Sequence, residues 1–144
     1  MRGPSPTLVL DAAILISAVY GRSIGALLAV HQRSMLATTD RVVDEARRRV
    51  SLGLKRPDLL NLLDELARTI TVVPVSSLEP LREEGERTLK DAVASRNGST
   101  RDAHVLALAW SVGGDVWTTD RDFAGTGVAT WSTPNLMRAL AETE

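Results

Sequence analysis

The stretch TLVLDAAILISAVY, residues 7–20, decides the fold because it joins an apolar strand to an apolar helix through a single aspartate. Residues 7–10 are short, apolar and partly β-branched, which predicts a buried strand. Residues 13–20 continue with small and aliphatic side chains and predict a helix that ends at Gly21. Asp11 therefore stands directly after a buried strand and at the start of the next helix.

The same alternation of strands and helices continues along the chain. Further strands are predicted over residues 34–38, 69–73, 115–118 and 128–131. Helices are predicted over residues 24–32, 77–94 and 102–112, between Thr39 or Asp40 and Gly53, from Pro57 through Ala67, and from Pro134 onward. The helix over residues 77–94 is polar and is predicted to be exposed.

Strands separated by helices are typical of an α/β protein with a parallel sheet. We expect a three-layer α/β/α sandwich around a central, mostly parallel sheet of four or five strands. Residues 1–144 are enough for one domain, and residues 1–6 are predicted to be a loose N-terminus.

Composition narrows the chemistry that the chain can carry. The 144 residues are 44% hydrophobic and 24% charged, and none is cysteine. Disulfides, thiolate nucleophiles and zinc ribbons are therefore excluded, and any metal must be bound by oxygen or by the two histidines. Oxygen ligands favour Mg²⁺ or Mn²⁺.

Charge is unevenly distributed along the chain. The net charge of -1 argues against a protein that coats nucleic acid through its overall field, but residues 41–56 hold six basic residues against two acids. This basic segment is a candidate contact for phosphates, or else a solvated helix face with intrahelical ion pairs. Asp11 interrupts the apolar run over residues 8–20, so no signal peptide or membrane span is predicted and a cytoplasmic protein is expected.

Three aspartates are predicted to reach one edge of the sheet. In an open parallel sheet, ligands bind beyond the carboxyl ends of the strands. Asp11 follows the first strand, Asp120 follows the strand over residues 115–118, and Asp102 lies in the first turn of the preceding helix. Each also has a structural interpretation, as a helix cap for Asp11, as part of a capping box for Asp102, and as turn residues for Asp120 and Asp122. Their joint placement favours a binding site.

Glu45 is the fourth acidic candidate. The apolar stripe of its helix consists of Val42, Val43, Ala46 and Val50. At about 100° per residue, Glu45 lies roughly 115° from the centre of this stripe and Asp44 roughly 145° from it. Glu45 is thus nearer the core margin and can reach over the sheet edge, whereas Asp44 points farther into solvent. The alternative is a surface ion pair between Glu45 and Arg49.

Gathered carboxylates imply a cation. Carboxylates that lie close together repel one another, and a hard divalent metal removes that repulsion. Mg²⁺ held by two or three acids keeps several waters, lowers the pKa of one and can bridge a phosphate oxygen. Hydrolysis of a phosphodiester bond is the reaction that this chemistry favours.

The ordered motifs of the chain resemble those of the PIN-domain nucleases, including the VapC-like toxins of bacterial toxin–antitoxin pairs. The matching segments are LVLDAAILISAV at residues 8–19, VVDEARRRV at 42–50, RDAHVLALA at 101–109, GGDVWTTDRDF at 113–123 and STP at 132–134. The resemblance covers nearly the whole chain. It implies a PIN-like fold and a Mg²⁺- or Mn²⁺-dependent endoribonuclease that hydrolyses RNA, with the toxin of a toxin–antitoxin pair as a candidate role.

The resemblance also implies site residues and partners. The implied metal-binding and catalytic acids are Asp11, Glu45, Asp102 and Asp120, with Asp122 as a candidate fifth metal ligand and Thr118 as a supporting hydroxyl. Arg49 and the neighbouring basic residues are candidate contacts to the substrate backbone. Besides RNA, the candidate partners are a small antitoxin protein and a second copy of the chain.

Ala12 and Ala13 depart from the family pattern, which often has Thr or Ser and then Asn after the first aspartate. Groups that hydrogen-bond to metal ligands orient them, so this loss bears on metal binding and on activity. It keeps open the alternative of a catalytically weak or inactive PIN-like binding or assembly module.

The remaining polar and aromatic candidates are interpreted as structural. Asp115 is predicted to cap the start of its strand, and His31 and His104 are predicted to be ordinary polar or semi-buried residues. Core packing rather than stacking on bases is predicted for Trp110, Trp117 and Trp131.

Overall fold

Five parallel strands form the centre of the fold. They are β1 (Thr7–Leu10), β2 (Met35–Thr39), β3 (Thr71–Val73), β4 (Asp115–Trp117) and β5 (Thr130–Trp131), in the spatial order β3-β2-β1-β4-β5. The computed structural model describes residues 3–21, 24–91, 103–119 and 126–142, and every strand pairing in these ranges is parallel. β1 lies in the middle of the sheet, and its Leu8, Val9 and Leu10 are 0% exposed.

Helices cover both faces of this sheet. The α-helices in the described ranges are α1 (Ala12–Val19), α2 (Ile24–His31), α3 (Asp40–Arg48), α4 (Leu60–Arg68), α5 (Leu81–Asp91), α6 (Ala103–Val112) and α7 (Thr133–Glu142). Helices α1 to α4 pack against one another, whereas α6 packs against α5 and against β1 and β2. Right-handed crossovers place these two groups on opposite faces. The predicted three-layer α/β/α sandwich with a central parallel sheet is confirmed.

Local signals explain how α3 and α4 begin and end. The Thr39 side chain accepts a hydrogen bond from the Val42 amide, so Thr39 rather than Asp40 caps α3. A π-helical turn, Arg49–Gly53, extends α3 to the predicted stop at its glycine. A 3₁₀ turn, Pro57–Leu59, precedes α4 and places proline at its first position, where no helical N–H is needed.

Three strands are shorter than the sequence predicts, and β4 ends at Trp117 rather than at residue 118. β3 begins at Thr71 rather than at residue 69, because Thr69 still belongs to the end of α4 and its amide donates to the Leu66 carbonyl at 3.1 Å. β5 begins at Thr130 rather than at residue 128. In β3 and β5 the apolar or β-branched run begins two residues before the first residue that pairs with a neighbouring strand.

The prediction that the helix over residues 77–94 is exposed is wrong for one face of α5. Leu89 is 0% exposed, and a Cβ placed on Gly85 would lie 3.0 Å from the Ala103 carbonyl oxygen in α6. The close approach of the two helices requires a residue without a side chain at this point. Residues 92–94 lie outside the described residues.

At the amino edge of the sheet, Asp115 links the N-terminal segment to β4 and β5 through hydrogen bonds. This carboxylate is 3% exposed, and its Oδ2 accepts the Ser5 amide and the Trp131 Nε1–H, each at 2.9 Å. The predicted role of Asp115 at the start of its strand is confirmed. Ser5, within the predicted loose N-terminus, is instead 7% exposed, and its hydroxyl donates to the Gly113 carbonyl at 3.2 Å.

The tryptophans belong to the core, as predicted. Trp117 is 0% exposed, and its Nε1–H donates to the Thr133 hydroxyl at 2.9 Å. Trp110 and Trp131 are half-buried and pack against the core. In the described part of the chain, no single helix has the length and apolar character to span a membrane, and only the bent pair α1 and α2 together meets those criteria.

Candidate active site

Polar side chains follow the strands at the carboxyl edge of the sheet. Asp11 comes after β1, Asp40 after β2 and Thr118 after β4. The chain adds β2 and β3 on one side of β1 and β4 on the other, so the topological switch point lies between β1 and β4. Ligands of open α/β sheets bind in the crevice at this point. Asp11 and Thr118 therefore stand where the fold provides a binding site.

Two hydrogen bonds hold the Asp11 carboxylate in one orientation. Its Oδ1 accepts the Ile14 amide at 3.1 Å, and its Oδ2 accepts the Thr118 hydroxyl. Asp11 is 8% exposed and caps α1 from an extended backbone with φ -92° and ψ 177°. A carboxylate has about four lone-pair sites, so capping a helix does not by itself prevent it from binding a cation. Thr118, which the resemblance implies as a supporting hydroxyl, contacts this acid, while its role in metal binding stays a prediction.

Glu45 lies on α3 between the core stripe and solvent. It is half-buried, whereas Asp44 is exposed, which agrees with the helical geometry. The alternative ion pair with Arg49 is absent among the described residues. The basic side chain of this helix that does form an ion pair there is Arg47, with Asp64 of α4. Glu45 is thus free of an ion pair with the described part of the chain.

His104 is buried beside the start of α3. Its Nδ1 lies 2.7 Å from the Thr39 Oγ1, and the residue is 1% exposed. The pKa of His104 is lowered to about 4, mainly by burial and also by the nearby Arg41 guanidinium, while Asp40 acts in the opposite direction. The imidazole is therefore neutral near pH 7 and holds the cap of α3, which agrees with a structural interpretation although the side chain is fully rather than partly buried.

A groove of about 550 Å³ opens at the carboxyl edge beside β2 and β3. The residues that line it are Asp40, Arg41, Asp44, Arg47, Arg48 and Val75. Arg49, the predicted substrate contact, is exposed at the start of the π-helical turn and is not in this set. A sequence feature that could have identified Arg41 and Arg48 as a pair is their separation of seven residues. This separation places them two turns apart on one face of the helix.

Three of the predicted site residues, Asp102, Asp120 and Asp122, lie outside the described residues, so their position at the edge stays a prediction. Within the described ranges, no group of three or more His, Asp or Glu side chains could hold a metal. Asp11 and Glu45, the two predicted ligands that are described, offer only carboxylate oxygens. This donor set, with Asp11 already oriented by two hydrogen bonds, fits a hard divalent cation such as Mg²⁺ or Mn²⁺.

The fold and the polar residues at the carboxyl edge of its sheet define the class of protein. It is an open α/β protein with an oriented carboxylate at the topological switch point. A family model of the PIN domain matches residues 9–141. The chain therefore belongs to the PIN-domain family, the nuclease family that its motifs resemble. No curated protein sequence matches it significantly.

Solved structures share this fold. VapBC2 from Rickettsia felis, bound to a promoter DNA fragment, is 17% identical with a TM-score of 0.65, covering 88% of this chain and 98% of that chain. VapC20 from Mycobacterium tuberculosis, a toxin that cleaves the sarcin-ricin loop, is 16% identical with a TM-score of 0.65 and coverages of 85% and 96%. A toxin–antitoxin complex from Klebsiella pneumoniae is 20% identical with a TM-score of 0.63 and coverages of 88% and 97%. At these identities the similarity shows the fold alone.

Proposed function

We propose that this protein is a metal-dependent endoribonuclease of the PIN type, which hydrolyses RNA phosphodiester bonds with Mg²⁺ or Mn²⁺. The observation that supports it most directly is the Asp11 carboxylate, buried at the switch point of a PIN-domain sheet and oriented by the Thr118 hydroxyl and the Ile14 amide. A carboxylate needs such orientation to bind a cation in a defined geometry.

In this proposal Asp11 and Glu45 hold the cation, together with Asp102 and Asp120. The bound cation neutralises charge on the phosphate and lowers the pKa of water. The Thr118 hydroxyl keeps Asp11 facing the edge. The start of α3, the helix that carries Glu45, is held in place by the contact between Thr39 and His104.

We also propose a role as the toxin of a toxin–antitoxin pair. The similar structures include a toxin that cleaves the sarcin-ricin loop and a toxin–antitoxin complex, and this chain shares their fold. A small antitoxin that covers the acidic edge is the proposed partner, with a second copy of the chain as a further one. Expression of the protein alone is expected to arrest bacterial growth, and Asp11→Asn is expected to relieve the arrest; equal toxicity of the two proteins would contradict this role.

The nuclease proposal is tested with purified protein and a labelled single-stranded RNA. We expect cleavage with Mn²⁺ or Mg²⁺ that stops when the metal is chelated, giving 5′-phosphate ends. Asp11→Asn should lower the rate by more than about 100-fold, and Thr118→Val by about 10- to 100-fold, the loss typical of a group that orients a metal ligand. Asp58→Asn, which changes an exposed carboxylate paired with Arg56, is the matched control and should cleave like wild type. Wild-type activity in Asp11→Asn would refute the assignment.

A second candidate function is a PIN-like binding or assembly module without efficient catalysis. The observation that favours it is the apolar first turn of α1, where Ala12 is 5% exposed and Ala13 offers no polar group beside Asp11. Calorimetric titration with Mn²⁺ separates the two candidates. Metal binding that depends on Asp11, combined with no cleavage of RNA or DNA, would support the binding module.

A further inference from the structure

We propose that the groove beside α3 binds the RNA strand next to the cleaved phosphate, with Arg41 and Arg48 contacting its phosphates. This inference rests on the proposed ribonuclease function and names the part of the protein that holds the substrate. It replaces Arg49 as the main backbone contact.

The groove lies on the same edge of the sheet as Asp11. One wall begins at Asp40, directly after β2, and another at Val75, two residues after β3. The Asp40 Oδ1 accepts the Val75 amide and the Arg41 amide, each at 2.9 Å, so the walls are joined. A strand that crosses the switch point can therefore continue into a groove of fixed shape.

Helix geometry connects this groove to Glu45. Residues three and four apart are neighbours on a helix surface, and Arg41 and Arg48 are four residues before and three residues after Glu45. Arg41 and Arg48 thus lie about one turn before and one turn after Glu45, although Glu45 itself is not among the residues that line the groove. Their positions are about 10 Å apart along the helix axis, so they contact different phosphates of one strand.

Ion pairing distinguishes Arg41 and Arg48 from the third arginine that lines the groove. Arg47 is paired with Asp64, which offsets its charge. Arg41 and Arg48 are exposed and form no ion pair with the described residues, so their planar guanidinium groups are available to bind phosphate in a bidentate manner. Asp40 and Asp44 are the carboxylates among the lining residues, and both are exposed. Asp40 accepts two backbone amides, whereas Asp44 accepts none among the described residues, and its charge opposes phosphate binding.

Substitutions that remove positive charge or negative charge from the groove therefore test whether it binds RNA. Binding of a labelled single-stranded RNA is measured by fluorescence anisotropy over a series of salt concentrations, without divalent metal. Each phosphate contact on a single strand contributes about 0.7 to the slope of log Kd against log salt, so Arg41→Gln/Arg48→Gln should lower the slope by about 1.4 and weaken binding. Asp44→Asn should tighten binding.

The control is Arg68→Gln/Arg138→Gln, which removes the same charge from exposed arginines at the end of α4 and on α7. It should leave the slope nearly unchanged. A slope and Kd for Arg41→Gln/Arg48→Gln equal to those of this control would overturn the proposal, and so would a wild-type protein that binds no RNA.

Failure of the groove proposal can be distinguished from failure of the nuclease proposal, because RNA binding is measured without metal. Wild-type protein that binds as expected but never cleaves RNA would refute the ribonuclease and support the groove. Wild-type protein that cleaves RNA, with KM and kcat unaltered in Arg41→Gln/Arg48→Gln, would support the ribonuclease and refute the groove. A raised KM with unchanged kcat is the expected result.

Discussion

Mild acid is expected to destabilise this protein through His104. The imidazole is 1% exposed and lies 2.7 Å from the Thr39 hydroxyl at the cap of α3. Of the charged groups around it, Arg41 and Arg82 favour the neutral ring and Asp40 favours the charged one, but burial is the largest influence. Protonation therefore requires either a buried charge or local unfolding.

The size of the effect follows from the two pKa values of His104. The ordinary value is 6.5, and burial lowers the pKa in the folded protein to about 4. Between these values the unfolded chain binds a proton that the folded chain does not, so stability is complete above pH 6.5 and is lost as the pH falls toward 4. A gap of about 2.5 pH units, at about 1.4 kcal/mol per unit, corresponds to about 3 kcal/mol of unfolding free energy.

The assay is urea unfolding of wild type and of His104→Gln across this pH range, followed by circular dichroism. Glutamine can still bond to Thr39 but does not titrate, and the carboxylates that titrate in both proteins cancel in the difference. Wild type should lose about 3 kcal/mol more than His104→Gln on acidification. His31→Gln, at an exposed histidine on α2, should follow wild type. Parallel stability curves for wild type and His104→Gln would refute the reasoning.

Three further changes test the packing around the site. Thr118→Val removes the hydroxyl that donates to Asp11 and should cost about 1.5–3 kcal/mol in urea unfolding, whereas Thr118→Ser should not; equal stability of the two would contradict the hydrogen bond. Asp115→Ala leaves the buried Ser5 amide and the half-buried Trp131 Nε1–H without this acceptor and should cost about 3 kcal/mol without changing Mn²⁺ affinity by calorimetry. Gly114→Ala places a Cβ 2.8 Å from a β1 carbonyl oxygen and should lower the unfolding free energy by about 1–3 kcal/mol. Gly25→Ala, in open space on α2, should raise the unfolding free energy by about 0.5–1 kcal/mol. The opposite order of the two variants in thermal unfolding would contradict this packing.

Strands and capped helices were predictable because their signals are local. β1 is buried on both faces and therefore reads as a continuous apolar run, and the aspartate after it marks both the strand end and the helix start. The start of β3 was not predictable, because the β-branched run from Thr69 does not show where pairing with β2 begins. The burial of Leu89 was missed because a mostly polar helix gives no sign of the neighbour that covers one face.

The sequence predicts four acids for the site, and the structure describes the positions of two of them, Asp11 and Glu45. Helical periodicity alone placed Glu45 nearer the core than Asp44, since both residues belong to one regular helix. It did not identify Arg41 and Arg48 as groove residues, because the groove forms only where the start of α3 meets the segment after β3. Asp102 and Asp120 remain sequence-based predictions.

The sequence by itself determined the order of strands and helices and the position of Asp11 after the first strand, since both follow from hydrophobic periodicity and capping within a few residues. Only the tertiary structure decided that Thr118, 107 residues away, donates its hydroxyl to that carboxylate. The physical reason is the strand order: β4 returns to pair with β1 on the side opposite β2, and no local pattern encodes which strand ends meet.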